Sequence, residues 1–476
     1  MLGELNSFIK WFDGLVWGPP LIVLILAVGI YFTLRLGLLQ IRRLPRALRY
    51  MVKNEEGGKG DVTSFGALCT ALSATIGTGN IVGVATAITA GGPGALFWMW
   101  IAAFFGMATK YAEGLLAIKY RRIGADGHVL GGPFYYIENG MGKRWIWLAK
   151  LFAFFGACVG LLGIGTFSQV NGISSAVNGF FDSENQWTVT LFGMQYSWTV
   201  VITGILVTVF AALVIVGGLK RIARVSEVVV PFMAILYVAS ILLILILHMD
   251  RIGPALSQII VGAFQPAAVT GGAVGSIMVA VQMGVARGIF SNESGLGSAP
   301  IAAAAAKTHS CVRQGLVSMT GTFIDTIVIC TMTGLAIVLT GAWQIEGLEG
   351  VMVTTQAFAS GLHILGGQIP QLILMVCLVF FAFTTILGWN YYGERCLEYL
   401  SGGSRRAVMV YRWLYILAIF IGPYMTIEAV WNIADIFNGL MAFPNLIALV
   451  ALSGVVIRET RRYFAPDRLP GGAPEK

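Results

Sequence analysis

The chain has 476 residues, 57% hydrophobic and only 11% charged, with a formal net charge of +8. A water-surrounded domain carries charge on roughly 25% of its residues, so a soluble globular enzyme is excluded. The positive balance does not mark a nucleic-acid partner, because the basic residues sit in loops on one side of a series of apolar runs.

Apolar runs of about 20 residues recur from end to end, each long enough to cross a bilayer. In chain order they predict spans at Leu15–Leu36, Phe65–Ala90, Ala95–Ile118, Leu151–Phe181, Trp198–Val216 and Val225–Leu247. Gly271–Phe290, Gly315–Thr340, Leu372–Tyr392, Ala407–Pro423 and Trp431–Val456 follow. The expected fold is an all-α polytopic membrane protein of about eleven transmembrane helices. Nothing at the N-terminus reads as a cleaved signal, so the first span is expected to direct its own insertion. The first connection holds Arg42, Arg43, Arg46, Arg49, Lys53 and Lys59, which places it in the cytoplasm and the N-terminus outside. Every second loop thereafter is basic, whereas Asp182–Ser197 and Gly341–Gln371 hold no Lys or Arg. The C-terminal tail from Arg458 is then cytoplasmic. Between these loops, Gly131–Ile137 reads as a short aromatic element at the membrane face, and Val351–Leu365 as an interfacial segment or a cap over a cavity.

The second span carries Ser73-Ala-Thr-Ile-Gly-Thr-Gly-Asn-Ile-Val-Gly-Val84. Glycines at 77, 79 and 83 let the backbone leave helical geometry. In hydrocarbon an open backbone group costs several kcal/mol unless protein, water or ligand satisfies it. Such a break belongs where it lines a cavity. Taken alone, the stretch fits equally a helix whose glycines serve close packing. The seventh segment repeats the pattern. Gly271, Gly272, Gly275 and Ser276 lead to Gln282, Met283 and Gly284, and a second break is expected near Val281–Gly284. Two interrupted segments five spans apart point to an inverted-repeat transporter. The chain then divides into an extra helix and basic loop (1–62), repeats at 63–250 and 251–457, and a tail (458–476). In the fourth span Thr166, Ser168, Gln169 and Asn171 are polar at mid-depth, and Gln169 is a binding candidate. The six cysteines and four histidines are scattered without metal-ligand spacing, and no catalytic cluster is seen.

Gly77-Thr78-Gly79-Asn80-Ile81, Gly91-Gly92-Pro93-Gly94-Ala95, Gly131-Gly132-Pro133 and above all Phe290-Ser-Asn-Glu-Ser-Gly-Leu-Gly-Ser-Ala-Pro300 resemble the alanine or glycine:cation symporter family. The likeness spans nearly the whole chain. It implies the leucine-transporter fold, with ten core helices in two inverted repeats of five and the first and sixth unwound. It also implies sodium-coupled uptake of alanine, and often glycine, through a multi-pass protein of the cell (inner) membrane. No enzyme activity is implied, and sodium is the coupling ion rather than a cofactor.

Carried onto this sequence, the resemblance assigns the substrate to Thr75, Gly77, Thr78, Gly79 and Asn80. Backbone N–H groups of the bend would hold the carboxylate. The Asn80 amide would serve either the carboxylate or a cation. Carbonyls around Thr75 and near Val281–Gly284, with the Gln282 side chain, would meet the ammonium. Thr384 and Thr385 would ligate sodium with the carbonyls of Ser73 and Ile76. Trp389, one turn from Thr385, would wall a small side-chain pocket with Phe167. Arg287 and Glu293 are expected to pair, either as part of an inner gate or as a static ion pair at a helix end, and Asp325 needs an unidentified partner. A proton-coupled transporter, a channel and a membrane enzyme are the competing classes.

Overall fold

The computed structural model describes residues 2–53, 55, 58–124, 128–191, 194–264, 273–425 and 427–465. Among them, nine helices are long and apolar enough to cross a membrane, and a bent pair makes a tenth. The expected seventh span, Gly271–Phe290, is a helix over Ala273–Asn292, with side chains described only from Ile277; Gly271 and Gly272 lie outside the described residues.

Leu2–Val16 (α1) and Pro19–Arg35 (α2) precede two short helices, Leu39–Arg42 and Leu44–Val52. Ser64–Thr75 (α3) is capped by the Thr63 hydroxyl, which accepts from the Gly66 N–H. It stops at Thr75. The chain resumes in a wide π turn over Gly79–Gly83 and continues as Val84–Gly91 (α4), bent by 53° from α3. Gly94–Lys119 (α5) lies against α4.

Ile146–Leu162 (α6) and Phe167–Phe181 (α7) are two helices where one continuous span was expected. The interruption falls at Gly163 to Thr166. A Cβ on Gly165 would stand 2.5 Å from the Gly160 carbonyl oxygen and 2.7 Å from the Trp389 Cβ. Only glycine lets these backbones approach so closely. Trp198–Ile215 (α8), Gly218–Leu247 (α9) and Met249–Phe264 (α10) complete the first half.

Ala273–Asn292 (α11) leads to a non-helical turn and then Ala299–Ala303 (α12). Cys311–Thr322 (α13), a π segment over Phe323–Cys330 and Thr331–Thr340 (α14) form one span. Val351–Gly361 (α15) caps the first break, its Thr354 hydroxyl donating to the Ile81 carbonyl at 3.2 Å. Ile369–Leu400 (α16), Arg405–Ile421 (α17) and Ile427–Ala451 (α18) follow. The last span ends five residues earlier than expected, and Ser453–Phe464 (α19) is a separate helix. Pro133–Tyr136 is buried against Phe152 and Tyr399 and is no interfacial anchor.

Candidate functional site

The first break is held by side chains rather than left open. The Gly77 N–H donates to Asn80 Oδ1 at 2.9 Å, and the Thr78 N–H donates to Gln169 Oε1 at 3.2 Å. These are the N–H groups that sequence reasoning offered to a substrate carboxylate. Here α7 and the next turn of the same chain satisfy them, as a buried amide requires. The Asn80 carbonyl accepts from the Thr333 hydroxyl at 2.8 Å. The Thr78 hydroxyl is the exception. It is buried and has no protein partner, so it is the polar atom of the break best placed to meet a ligand.

Asp325, whose partner the sequence did not reveal, closes the same network. Its Oδ1 accepts from Asn80 Nδ2 at 2.7 Å. Its Oδ2 accepts from the Ser291 hydroxyl at 2.9 Å and the Thr326 hydroxyl at 2.8 Å. The carboxylate thus ties the first break to the end of α11. Asn80 thus uses both ends of its amide on protein groups, Oδ1 accepting from the Gly77 N–H and Nδ2 donating to Asp325.

The second break is not where the sequence placed it. The helix α11 runs unbroken through Val281–Gly284, and the chain unwinds after Asn292. Glu293, Gly295 and Gly297 take φ of 56°, 88° and 83°, the left-handed region. Asn292 Oδ1 accepts from the Ser294 N–H at 2.9 Å, an Asx turn that helps stop the helix. Glu113 Oε1 accepts from the Gly295 N–H and from Asn445 Nδ2. Gly284 serves packing instead: a Cβ there would stand 2.3 Å from the Ala95 carbonyl oxygen on α5. A helical glycine costs only about 1 kcal/mol, which close packing can offset. Gln282 is therefore away from the break, in a cavity with Asp13, Trp17, Arg287 and Asp435.

Arg287 and Glu293 do not pair. Arg287 Nη2 lies 3.0 Å from Asp435 Oδ2, and Trp17 Nε1 donates to the Asp435 carbonyl at 2.7 Å. They lie six residues apart on opposite sides of the turn at Asn292. Glu293 instead accepts from Trp389 Nε1 at 2.9 Å and from the Ser298 hydroxyl at 2.6 Å. Arg287→Ala leaves Asp435 buried without its counter-charge, a loss of about 3–5 kcal/mol. Thermal melting should fall well below wild type, with Arg287→Lys intermediate; an unchanged melting temperature contradicts the pairing.

Trp389 is fully buried, its ring edge-on to Tyr392 at 5.4 Å, and so is no membrane-belt residue. Phe167 does not join it. The Phe167 ring packs with Ala418, Leu161 and Met425. One turn along α16, Thr385 Oγ1 donates to the carbonyls of Ile76 at 3.2 Å and Phe381 at 3.0 Å. Thr384 Oγ1 shares the Phe381 carbonyl at 3.0 Å and faces Met233 Sδ at 3.6 Å. Ser73 Oγ donates back to the Thr70 carbonyl at 2.8 Å. The Phe381 carbonyl was missed in the sequence, which offers no signal for a backbone oxygen. The cluster of hydroxyls and carbonyls is all-oxygen, the ligation a hard cation prefers. Among the described residues no group of His, Cys, Asp and Glu suits a metal of another kind.

A family model, the sodium:alanine symporter family, matches residues 2–470. The chain belongs to the sodium:alanine symporter family. Within it, the chain is 47% identical over 464 residues to the sodium/alanine symporter AgcS of Methanococcus maripaludis, covering 96% of this chain and 97% of that one. It is 57% identical over 461 residues to a transporter of Haemophilus influenzae, with 97% and 96% covered. It is 38% identical over 453 residues to the probable sodium/glutamine symporter GlnT of Bacillus subtilis, with 95% and 89% covered. The fold matches the crystal structure of MhsT in complex with L-phenylalanine, with a TM-score of 0.58 and 15% identity over 84% of this chain and 90% of that one. This symporter is thus a transporter of the leucine-transporter fold, a multi-pass membrane protein and not an enzyme.

Proposed function

We propose that the protein couples sodium entry to uptake of alanine, and of glycine, by alternating access. The observation that supports this best is Thr385. Its hydroxyl bridges the end of α3 at Ile76 and the Phe381 carbonyl of α16. A sodium ion at these oxygens would hold the broken helix against α16, so ion and substrate would each favour the same closed arrangement. The substrate would lie against the Thr78 hydroxyl, with Trp389 limiting its size. The family's named relatives include both an alanine and a probable glutamine symporter, so the choice of alanine rests on the bulk around Trp389. The two repeats, 63–250 and 251–457, would rock about this point, with the basic loops on the cytoplasmic face.

The test is uptake of radiolabelled alanine into liposomes carrying the purified protein, with sodium or choline outside. Sodium should stimulate uptake tenfold or more, and alanine should bind more tightly as sodium rises. Thr385→Ala should raise the sodium concentration for half-maximal uptake by roughly tenfold or more, about 1.4 kcal/mol. Thr384→Ala should do less, because its hydroxyl does not reach the Ile76 carbonyl. Uptake that is indifferent to sodium but driven by a proton gradient would replace sodium by a proton as the coupling ion.

A further inference from the structure

A second cavity adjoins the first break, between α3, α5, α12 and α13. Thr75, Lys110, Ala299, Ala303, Gln314 and Ser318 line it, with small apolar residues of α3. Thr75 is the last residue of α3, so the cavity begins where the break begins. At its other end α12 runs into the loop that Arg121 holds. The Arg121 guanidinium donates to the carbonyls of Ala304, Ala306, Lys59 and Thr308 at 2.7–3.1 Å. The cavity therefore lies on the path from the break to the basic-loop face.

Two polar groups in its wall are unsatisfied. Lys110 is 2% exposed and Gln314 is 1% exposed. The Lys110 ammonium and the Gln314 side-chain carbonyl oxygen are both without a hydrogen-bond partner. A buried, unpaired ammonium is among the costliest groups a protein can hold. The carboxylates that feel its charge are Glu113, Glu293 and Asp325, and each is bonded elsewhere. Glu113 binds Gly295 and Asn445, Glu293 binds Trp389 and Ser298, and Asp325 binds Asn80, Ser291 and Thr326.

We propose that Lys110 and Gln314 form a second, transient subsite for a small zwitterion, distinct from the break and used as the amino acid leaves toward the basic-loop face. This rests on the amino-acid transport reading above. The carboxylate would pair with the Lys110 ammonium, and the substrate ammonium would donate to Gln314 Oε1. One unpartnered cation and one unpartnered acceptor across an alanine-lined wall complement both ends of an α-amino acid with a short side chain. The cavity is only about 10 Å³, room for one water, so substrate entry requires that α3 and α12 part.

The full chain tests this in two assays: equilibrium binding of radiolabelled alanine in sodium, and net uptake into liposomes. Lys110→Met and Gln314→Leu should each bind alanine within about 3-fold of wild type, yet take it up at least roughly 10-fold more slowly. Lys110→Arg should recover part of the rate. If both neutral variants transport at the wild-type rate, the cavity holds a trapped water only and the proposal falls. It also falls if folded Lys110→Met loses alanine binding, because Lys110 would then act at the break or balance the buried carboxylates. Should Lys110→Met not fold, Gln314→Leu decides by the same split between binding and uptake. Absence of sodium-dependent alanine binding in the wild type would instead sink the transport reading itself.

Discussion

Gly77→Ala should abolish alanine binding, while Gly83→Ala, six residues along the same stretch, should leave it intact. A Cβ on Gly77 would stand 2.5 Å from Thr385 Oγ1 and 3.0 Å from Gln169 Oε1. Neither atom is a loose end. Thr385 Oγ1 holds the Ile76 and Phe381 carbonyls, and Gln169 Oε1 holds the Thr78 N–H. Making room for one methyl breaks contacts on α16 or α7. Overpacking costs about 1–3 kcal/mol and each lost hydrogen bond about 1 more. The sum corresponds to a loss of affinity of roughly 100-fold or more. Gly83 differs in every respect. It has ordinary helical angles, φ −63° and ψ −42°, and a Cβ there meets nothing within 4 Å. Alanine at that position should be neutral or stabilising by about 0.5–1 kcal/mol. Alanine binding and thermal melting of the two purified variants check this. Wild-type affinity in Gly77→Ala would mean that the contact with Thr385 has no part in binding.

That contrast also explains what the sequence could reveal. Hydropathy locates the spans because lipid imposes a length and a polarity on each. The first break was legible because Gly77 and Gly79 stand beside Thr78 and Asn80, residues that compete for backbone groups. The second was misplaced by about ten residues. Gly284 and Gly288 look like helix breakers, but they pack against Ala95 and Met99 of α5. The true break, at Glu293 to Gly297, lay in the Phe290–Pro300 run that carried the family resemblance. Its cause is tertiary: Glu113 and Asn445, far away in sequence, hold its backbone. The interruption between α6 and α7 was hidden because Leu151 to Phe181 reads as one span by length, and the cause of the break, the close approach of Gly165 to Gly160 and Trp389, is tertiary. Arg287 was paired with Glu293 by nearness in sequence, whereas its partner Asp435 is 148 residues away. Periodicity and composition see local preference; they do not see which distant element arrives to satisfy a buried group.

Asn80→Ala should be far more damaging than Asp325→Asn, although both groups are buried in one network. Asn80 Oδ1 holds the Gly77 N–H and Asn80 Nδ2 holds Asp325 Oδ1. Truncation leaves a buried amide without an acceptor at the break and a buried carboxylate with one donor fewer. Each unsatisfied group costs about 1–3 kcal/mol, more when charged. Alanine affinity should therefore fall by roughly 100-fold or more. Asp325→Asn keeps the shape of the side chain and leaves an oxygen to accept from Asn80. Its new NH2 would face the Ser291 and Thr326 hydroxyls, which now donate to Oδ2. A hydroxyl rotates to accept as readily as to donate. The loss should stay below about tenfold, or 1.4 kcal/mol. A double-mutant cycle between Asn80→Ala and Asp325→Ala should show coupling of about 0.5–3 kcal/mol, because the two residues share one hydrogen bond. The comparison separates two roles for the carboxylate. If Asp325 ties the break to α11, geometry matters and Asp325→Asn keeps sodium-dependent uptake. Should Asp325→Asn instead abolish uptake as fully as Asn80→Ala, the negative charge itself is required. Asp325 would then act on a cation or a proton directly, and the donors around it would be the means of keeping it charged.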